Sequence, residues 1–231
     1  MLSQAEWLIV VLSLKVSVAA TALTLPLAFA IAWVLARKQF AGKVLFDAVV
    51  HLPLVLPPVV TGWLLLLAFG AQGPIGRMLD SLFGTTVMFR WTGAAIAAAI
   101  MALPLMVRAI RLSIEGVDRK LESAARTLGA GPWRSFFEIT LPLSPPGVLA
   151  AMVLGFARSI GEFGATITFV SNIPGETRTL PLAIYTALQV PGGETMATRL
   201  AIISVVLSLI ALVASEALAR RGNAARTGHV L

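Results

Sequence analysis

Two residues of opposite charge, Arg158 and Glu162, stand four positions apart inside a long apolar segment. On a helix this spacing brings the two side chains together, and the energetic cost of an arginine in lipid requires such a partner. A guanidinium group also presents several fixed donors to an oxyanion. Gly161 and Gly164 flank the acid and permit a close helix approach or a bend. The sequence therefore predicts either a structural ion pair or a gate on the path of an anion.

Prolines at positions 53, 57 and 58 interrupt another apolar segment. Each proline removes one intrahelical hydrogen bond. One interpretation is an ordinary kinked helix. The other is a broken helix that lines a cavity, where the N-terminus of a half-helix attracts an anion. Under this second interpretation Pro57 and Pro58 belong to the same pathway or gate as the charged pair.

The sequence contains no residue pattern typical of an enzyme. It has no cysteine and two histidines, which excludes disulfides, cysteine-ligated zinc and iron–sulfur clusters. It has no nucleophile with a neighbouring base, no His-Glu-x-x-His motif and no phosphate-binding Walker loop. We therefore predict a chain that is not itself an enzyme and has no catalytic residue, metal or cofactor of its own.

The composition is that of a membrane protein, since 58% of the 231 residues are hydrophobic and 13% are charged, against about 25% charged residues in soluble domains. Five apolar segments are long enough to cross the bilayer as helices. A run at 181–190 is too short and predicts an interfacial or re-entrant helix. We therefore predict an all-α membrane protein with a single transmembrane domain, residues 1–231. The predicted spans are residues 7–36, 44–69, 92–110, 146–170 and 200–219.

The basic residues predict the orientation of these spans. Of the 18 lysine and arginine residues, twelve lie in one set of connections and four in the other. Short cytoplasmic loops carry the excess of lysine and arginine in membrane proteins. This asymmetry predicts an N-terminus outside and a C-terminus in the cytoplasm, and it places the longest polar connection, residues 111–145, in the cytoplasm.

The connection at 111–145 predicts two short amphipathic helices. Asp118 can cap the first helix, whose apolar residues recur at helical spacing from Leu121 to Leu128, and Gly129 ends it. Pro132 begins the second helix. The bulky apolar residues of that helix are Trp133, Phe136 and Phe137. Apolar faces in water require a cover, which is either the protein's own helix ends or a groove on a partner.

The spacing of this connection resembles a known signature, the Glu-Ala-Ala-x3-Gly-x9-Ile-x-Leu-Pro loop of the permeases of binding-protein-dependent ABC importers. Ser123 takes the place of the glutamate, and Glu122 precedes it by one position, about 100° around a helix. In that family the loop docks into a groove on an ATPase subunit. The resemblance implies a role in ATPase coupling for Glu122, Ser123, Ala124, Ala125, Gly129, Trp133, Phe136, Phe137, Ile139, Leu141 and Pro142.

Three further segments, residues 51–58, 158–166 and 171–179, are similar to the molybdate permeases of that family, with sulfate and thiosulfate permeases as the near alternative. The resemblance implies a type I ABC importer permease of the bacterial cytoplasmic membrane that carries molybdate or tungstate and works as a homodimer. It also implies two cytoplasmic ABC ATPase subunits, which hold the ATP and Mg²⁺, and an extracytoplasmic molybdate-binding protein.

Two alternatives belong to other functional classes. An ion-coupled secondary transporter predicts several carboxylates at membrane depth and an internal repeat, whereas Glu162 is the one deep acid and five spans do not divide evenly. A structural module that only recruits partners leaves Arg158, Glu162 and the proline-interrupted span without a role. The importer subunit accounts for both features.

Overall fold

The computed structural model describes residues 3–227, and within this range the protein is built from helices, which confirms the predicted all-α class. Short turns connect most of these helices. In chain order they are α1 (Gln4–Arg37), α2 (Lys43–Val55), α3 (Pro58–Phe69), α4 (Pro74–Phe83), α5 (Trp91–Glu115), α6 (Arg119–Thr127), α7 (Pro132–Ser135), a π-helical turn (Phe136–Thr140), α8 (Leu141–Leu143), α9 (Pro145–Ile160), α10 (Gly164–Val170), α11 (Leu180–Leu188) and α12 (Glu194–Thr227).

Three of the described helices are long and apolar enough to cross a membrane alone: α1, α5 and the Glu194–Ala214 part of α12. Two bent pairs reach that length only together, namely α2 with α3 and residues 136–143 with α9. The described residues therefore provide three spans, or five when each bent pair counts as one. The predicted number equals this upper count, and the exact bounds and the orientation stay predictions.

The second predicted span, residues 44–69, consists of two helices. α2 ends at Val55, α3 begins at Pro58, and the two helix axes differ in direction by 114°. Pro57 precedes α3 and Pro58 occupies its first turn, where a missing N–H costs no intrahelical bond. A helix continued through both prolines would lose hydrogen bonds and clash with the preceding turn. The structure therefore has a broken helix here and no ordinary kink.

The fourth predicted span, residues 146–170, is also interrupted, which corrects the expected placement of its charged pair on one continuous helix. Arg158 lies in the last turn of α9, whereas Glu162 lies in the turn between α9 and α10. The Glu162 Oε1 accepts a hydrogen bond from the Ala165 N–H at 2.8 Å. This bond satisfies a backbone donor at the start of α10 and so stabilises the break.

The core forms where α1, α5 and α9 pack against one another. Small side chains let neighbouring helices approach closely in membrane proteins. The small buried residues of α5 are Gly93, Ala94, Ala95, Ala97, Ala98, Ala99 and Ala102. Leu35 of α1 with Met106 and Ile110 of α5 forms a second buried cluster. The packing holds α9, and with it Arg158, against the two long helices.

A buried ion pair joins the first and last helices. Glu6 is 1% exposed and closes a capping box with Ser3 in the first turn of α1. Its Oε1 lies 2.7 Å from the guanidinium group of Arg199 in α12. The sequence analysis did not identify this pair, since the two residues stand 193 positions apart. The pair ties the start of α12 to the start of α1.

The short helices α3 and α10 pack closely because each contributes a glycine to their contact. A Cβ at Gly62 would lie 2.6 Å from the carbonyl oxygen of Ala165 and 2.8 Å from the Cβ of Thr168. A Cβ at Gly164 would lie 2.8 Å from the Cβ of Pro58. These separations are well below van der Waals contact, so a side chain at either position forces α3 and α10 apart.

We expect Gly62→Ala to lower the melting temperature of the detergent-solubilised protein. The added methyl group meets backbone atoms of α10, and overpacking of this kind costs about 1–3 kcal/mol. Gly131→Ala is the matched control, since a Cβ there meets no atom within 4 Å. Thermal unfolding followed by circular dichroism measures both variants. Equal melting temperatures for the two would contradict the tight contact between α3 and α10.

Candidate functional site

The first helix of the long connection, α6, starts and stops where the sequence predicted. The Asp118 carboxylate accepts the Lys120 N–H at 2.8 Å and caps the helix. Gly129 has φ +87°, a left-handed conformation that glycine adopts without strain. The Ala130 N–H then bonds to the Ala125 carbonyl oxygen at 2.9 Å. Local side-chain and backbone chemistry therefore determines both ends of α6.

Residues 119–143, here called the loop segment, expose large apolar side chains. Leu128 is 89% exposed, Phe137 58% and Leu121 49%. Of the other predicted coupling residues, Ser123, Ala124, Gly129, Leu141 and Pro142 are exposed, and Ala125 and Ile139 are half-buried. Leu121 and Leu128 lie in α6, which belongs to none of the candidate spans, and exposed apolar side chains in such a place mark an interaction site.

Phe136 has a different role from its neighbour Phe137. Its ring packs edge-on against Trp33 and Phe29 of α1, at centroid distances of 5.5 and 6.0 Å. Such aromatic pairs stabilise a contact beyond the area that they bury. Phe136 therefore attaches the loop segment to α1, whereas the side chain of Trp133 lies outside the described residues.

Glu122 makes the ion pair that holds the loop segment in place. Its Oε1 lies 3.0 Å from the Arg37 guanidinium group at the end of α1. It also accepts a hydrogen bond from the Thr140 hydroxyl at 2.7 Å. Ser123, the residue at the signature's glutamate position, bonds only within α6, to the carbonyl oxygen of Arg119. The acid one position earlier thus connects α6, the π-helical turn and α1.

Two further hydrogen bonds strengthen this attachment. Arg37 donates to the carbonyl oxygen of Val117 at 3.2 Å, and Arg119 donates to that of Ala36 at 3.3 Å. The first bond joins the last turn of α1 to a residue just before the loop segment, and the second joins it to the first residue of the loop segment. A displacement of the loop segment must therefore pull on α1.

Arg158 and Glu162 form the predicted ion pair, with 2.6 Å between Nη1 and Oε2. The Glu162 side chain is 2% exposed, whereas that of Arg158 is 25% exposed. Both carboxylate oxygens are occupied, one by the guanidinium group and the other by the Ala165 N–H. The pair stabilises the break between α9 and α10 and leaves the Arg158 side chain partly exposed.

Two buried hydroxyl groups on helices next to this break have no hydrogen-bond partner among the described residues. They belong to Ser159 of α9 and Thr61 of α3. The sequence analysis missed both, because hydroxyl side chains are common in apolar helices, where they usually bond to their own backbone. Gly161, Pro57 and Pro58, which the sequence assigned to the same pathway, are exposed at the helix ends.

A further ion pair joins two helices on the side of α5 that faces α2. Within residues 3–227, no three His, Asp or Glu residues form a group that could hold a metal ion. Arg111 of α5 lies 2.9 Å from Asp47 of α2 and 2.8 Å from Glu115. This cluster fixes α2 against the end of α5.

We expect Glu122→Gln to destabilise the protein more than Ser123→Ala does. The first change leaves the Arg37 guanidinium group, whose side chain is 8% exposed, without its carboxylate, at a cost of about 1–3 kcal/mol. Ser123→Ala removes one exposed intrahelical bond. Melting temperature and protease sensitivity of the loop segment measure the difference.

A double-mutant cycle isolates the pair itself. Arg37→Gln combined with Glu122→Gln is expected to cost less than the sum of the two single changes, because they share one interaction. Strict additivity would show that the contact contributes nothing to stability.

The sequence matches a described protein family over most of its length. Residues 24–223 match the family "Binding-protein-dependent transport system inner membrane component". The chain is 62% identical over 219 residues to the molybdenum transport system permease protein ModB of Escherichia coli strain K12, covering 95% of this chain and 96% of that protein. It is 60% identical over 210 residues to the protein of that name from Haemophilus influenzae, covering 91% and 92% of the two chains.

A solved structure has the same fold. The bacterial alginate ABC transporter in complex with an alginate pentasaccharide-bound periplasmic protein superposes with a TM-score of 0.73 at 17% identity, over 95% of this chain and 80% of that one. The agreement of the family match with the helical architecture leads to one conclusion. The chain belongs to the family of binding-protein-dependent transport system inner membrane components.

Proposed function

We propose that this chain is the membrane-spanning permease subunit of an ATP-driven importer of molybdate. The observation that carries the proposal is 62% identity, over nearly the full length of both chains, to a molybdenum transport permease. Tungstate, a tetrahedral oxyanion of the same charge, is a second candidate cargo. The permease lies in the bacterial cytoplasmic membrane, with its N-terminus outside and its basic loops in the cytoplasm.

The proposed assembly contains two copies of the permease, two cytoplasmic ABC ATPase subunits and an extracytoplasmic binding protein that delivers the anion. Support for the ATPase contact comes from the exposed apolar side chains of the loop segment, Leu121, Leu128 and Phe137. A groove on the ATPase would remove these side chains from water, and the area buried would favour association. ATP and Mg²⁺ belong to that partner.

Contacts in the protein provide a route from the ATPase to the membrane. Force on α6 passes to α1 through Glu122 and Arg37, and through the packing of Phe136 on α1. α1 packs along α5 and α9. Arg158 lies in the last turn of α9, and Glu162 lies in the connection that follows it. We infer that ATP binding shifts these helices together, so that the cavity between two permease copies opens alternately to each side.

Arg158 is the proposed contact for the anion within the membrane. Its side chain stays partly exposed while its partner carboxylate is fixed by a backbone hydrogen bond. One partly exposed arginine attracts an oxyanion but has few means to discriminate among tetrahedral dianions. Selection of molybdate over sulfate therefore falls to the binding protein.

We expect Leu128→Ser to weaken the association with the ATPase by about tenfold or more, since burial of a leucine side chain contributes about 1.5–3 kcal/mol. The fold is expected to be unaffected, because Leu128 is 89% exposed. Leu82→Ser is the control, since Leu82 is 66% exposed in α4, outside the loop segment. A pull-down of the co-expressed ATPase and molybdate uptake by liposomes with binding protein and ATP measure the effect. Normal association of Leu128→Ser, or uptake without ATP, would contradict the proposal.

We expect Arg158→Gln to abolish molybdate uptake and to lower the melting temperature, because it leaves the buried Glu162 carboxylate without its cation. Arg158→Gln combined with Glu162→Gln removes both charges and is expected to recover stability without recovering uptake. If the double variant transports molybdate like the unmodified protein, the pair has a structural role alone and Arg158 is not the anion contact.

A further inference from the structure

A basic cavity lies between the end of α1 and the loop segment. It has a volume of about 230 Å³, and its walls include four cationic side chains and one acidic side chain, that of Glu122. The four cations are Arg37, Lys38, Arg119 and Arg126. With four positive charges and one negative charge, the wall has a net charge of +3, which favours an anion in the cavity.

Two buried polar atoms in the wall of this cavity lack a hydrogen-bond partner among the described residues. They are the Nε of Arg37 and the Oγ of Ser135, and Ser135 is only 3% exposed. Buried donors are almost always satisfied in folded proteins, since a hydrogen bond lost to water and not replaced destabilises the fold. Beside these atoms, the exposed cations of Lys38, Arg119 and Arg126 line the cavity and are suited to the oxygen atoms of a phosphate-type group.

The position of the cavity matches the membrane–water boundary. Trp33 lines the cavity in the last turns of α1, a helix that is long and apolar enough to cross a membrane. The Lys38 Nζ lies 5.2 Å from the centre of its ring. Tryptophan and basic residues at the end of a span are typical of the level at which lipid headgroups lie. The phosphate nearest to this cavity is therefore that of a phospholipid.

We propose that this cavity binds the phosphate group of an anionic phospholipid. Basic pockets between transmembrane helices are known to select acidic headgroups. The walls come from α1, from α6 and from the segment after it, so a bound phosphate bridges these elements beside the Glu122–Arg37 pair. The lipid therefore holds the loop segment against α1. The inference does not depend on which substrate the protein carries.

The test measures lipid affinity by native mass spectrometry of the full-length, detergent-solubilised protein. The protein is titrated with phosphatidylglycerol and, as the comparison without net charge, with zwitterionic phosphatidylcholine. Lys38→Gln with Arg126→Gln removes two charges from the cavity. The matched control, Lys120→Gln with Arg134→Gln, removes two charges from the same region but from residues outside the cavity wall. Melting temperatures of both double variants verify that they fold.

We expect phosphatidylglycerol to bind more tightly than phosphatidylcholine to the unmodified protein and to the control. In the cavity variant, its affinity is expected to fall on the order of tenfold, since each basic residue near a headgroup contributes about 1 kcal/mol. Equal binding of the two lipids, or equal binding by cavity variant and control, overturns the proposal.

Two further measurements distinguish the lipid from other possible occupants of the cavity. The cavity is assigned to a free oxyanion if inorganic phosphate or molybdate binds to the unmodified protein and displaces phosphatidylglycerol, but does not bind to the cavity variant. This result overturns the proposal that a lipid supplies the phosphate group. Loss of the co-purifying ATPase from the cavity variant, with lipid binding unchanged, assigns the cavity to an acidic side chain of that partner. This result also overturns the proposal.

Discussion

A helix that breaks among apolar residues leaves backbone N–H and C=O groups that lipid cannot satisfy, and this constraint governs the architecture of the chain. The protein breaks two of its apolar segments and resolves each break differently. At the first, Pro57 and Pro58 have no N–H to leave unpaired. At the second, Glu162 accepts the Ala165 N–H, and Arg158 neutralises the resulting buried charge. The two half-helices that follow, α3 and α10, then pack through Gly62 and Gly164.

A small number of polar groups, together with one aromatic ring, attach the loop segment to α1. The outer surface of the loop segment exposes Leu121, Leu128 and Phe137 among charged side chains. Its inner surface carries Glu122, Thr140 and Phe136 toward α1. An apolar face suits a partner's groove, and a charged, hydrogen-bonded face resists slippage of the loop segment along α1. A displacement of α6 would therefore act directly on α1.

Burial is distributed as expected for a protein surrounded by lipid and by further subunits. In the most apolar stretch of α5, 67% of the residues are buried, against 11% in the corresponding stretch of α12. α5 is rich in alanine and lies at the centre, whereas α12 presents Val205, Leu209 and other large apolar side chains outward. In lipid these side chains incur no hydrophobic penalty, because the surrounding chains are as apolar as they are.

The sequence by itself determined several features that depend on neighbours within about one helical turn, although it did not predict the break between α9 and α10. It determined the cap at Asp118, the stop at Gly129, the contact of Arg158 with Glu162 and the apolar character of the helices. Capping, glycine conformation and the four-residue helical repeat act over such distances and need no knowledge of the fold.

Only the tertiary structure decided which residues meet across the chain. It selected Glu122 as the partner of Arg37, joined Glu6 to Arg199, and fixed the angle of 114° between α2 and α3. These outcomes depend on the packing of helices that are far apart in sequence. Because many arrangements satisfy the local rules equally well, the long-range contacts choose among them through close packing and the pairing of buried charges.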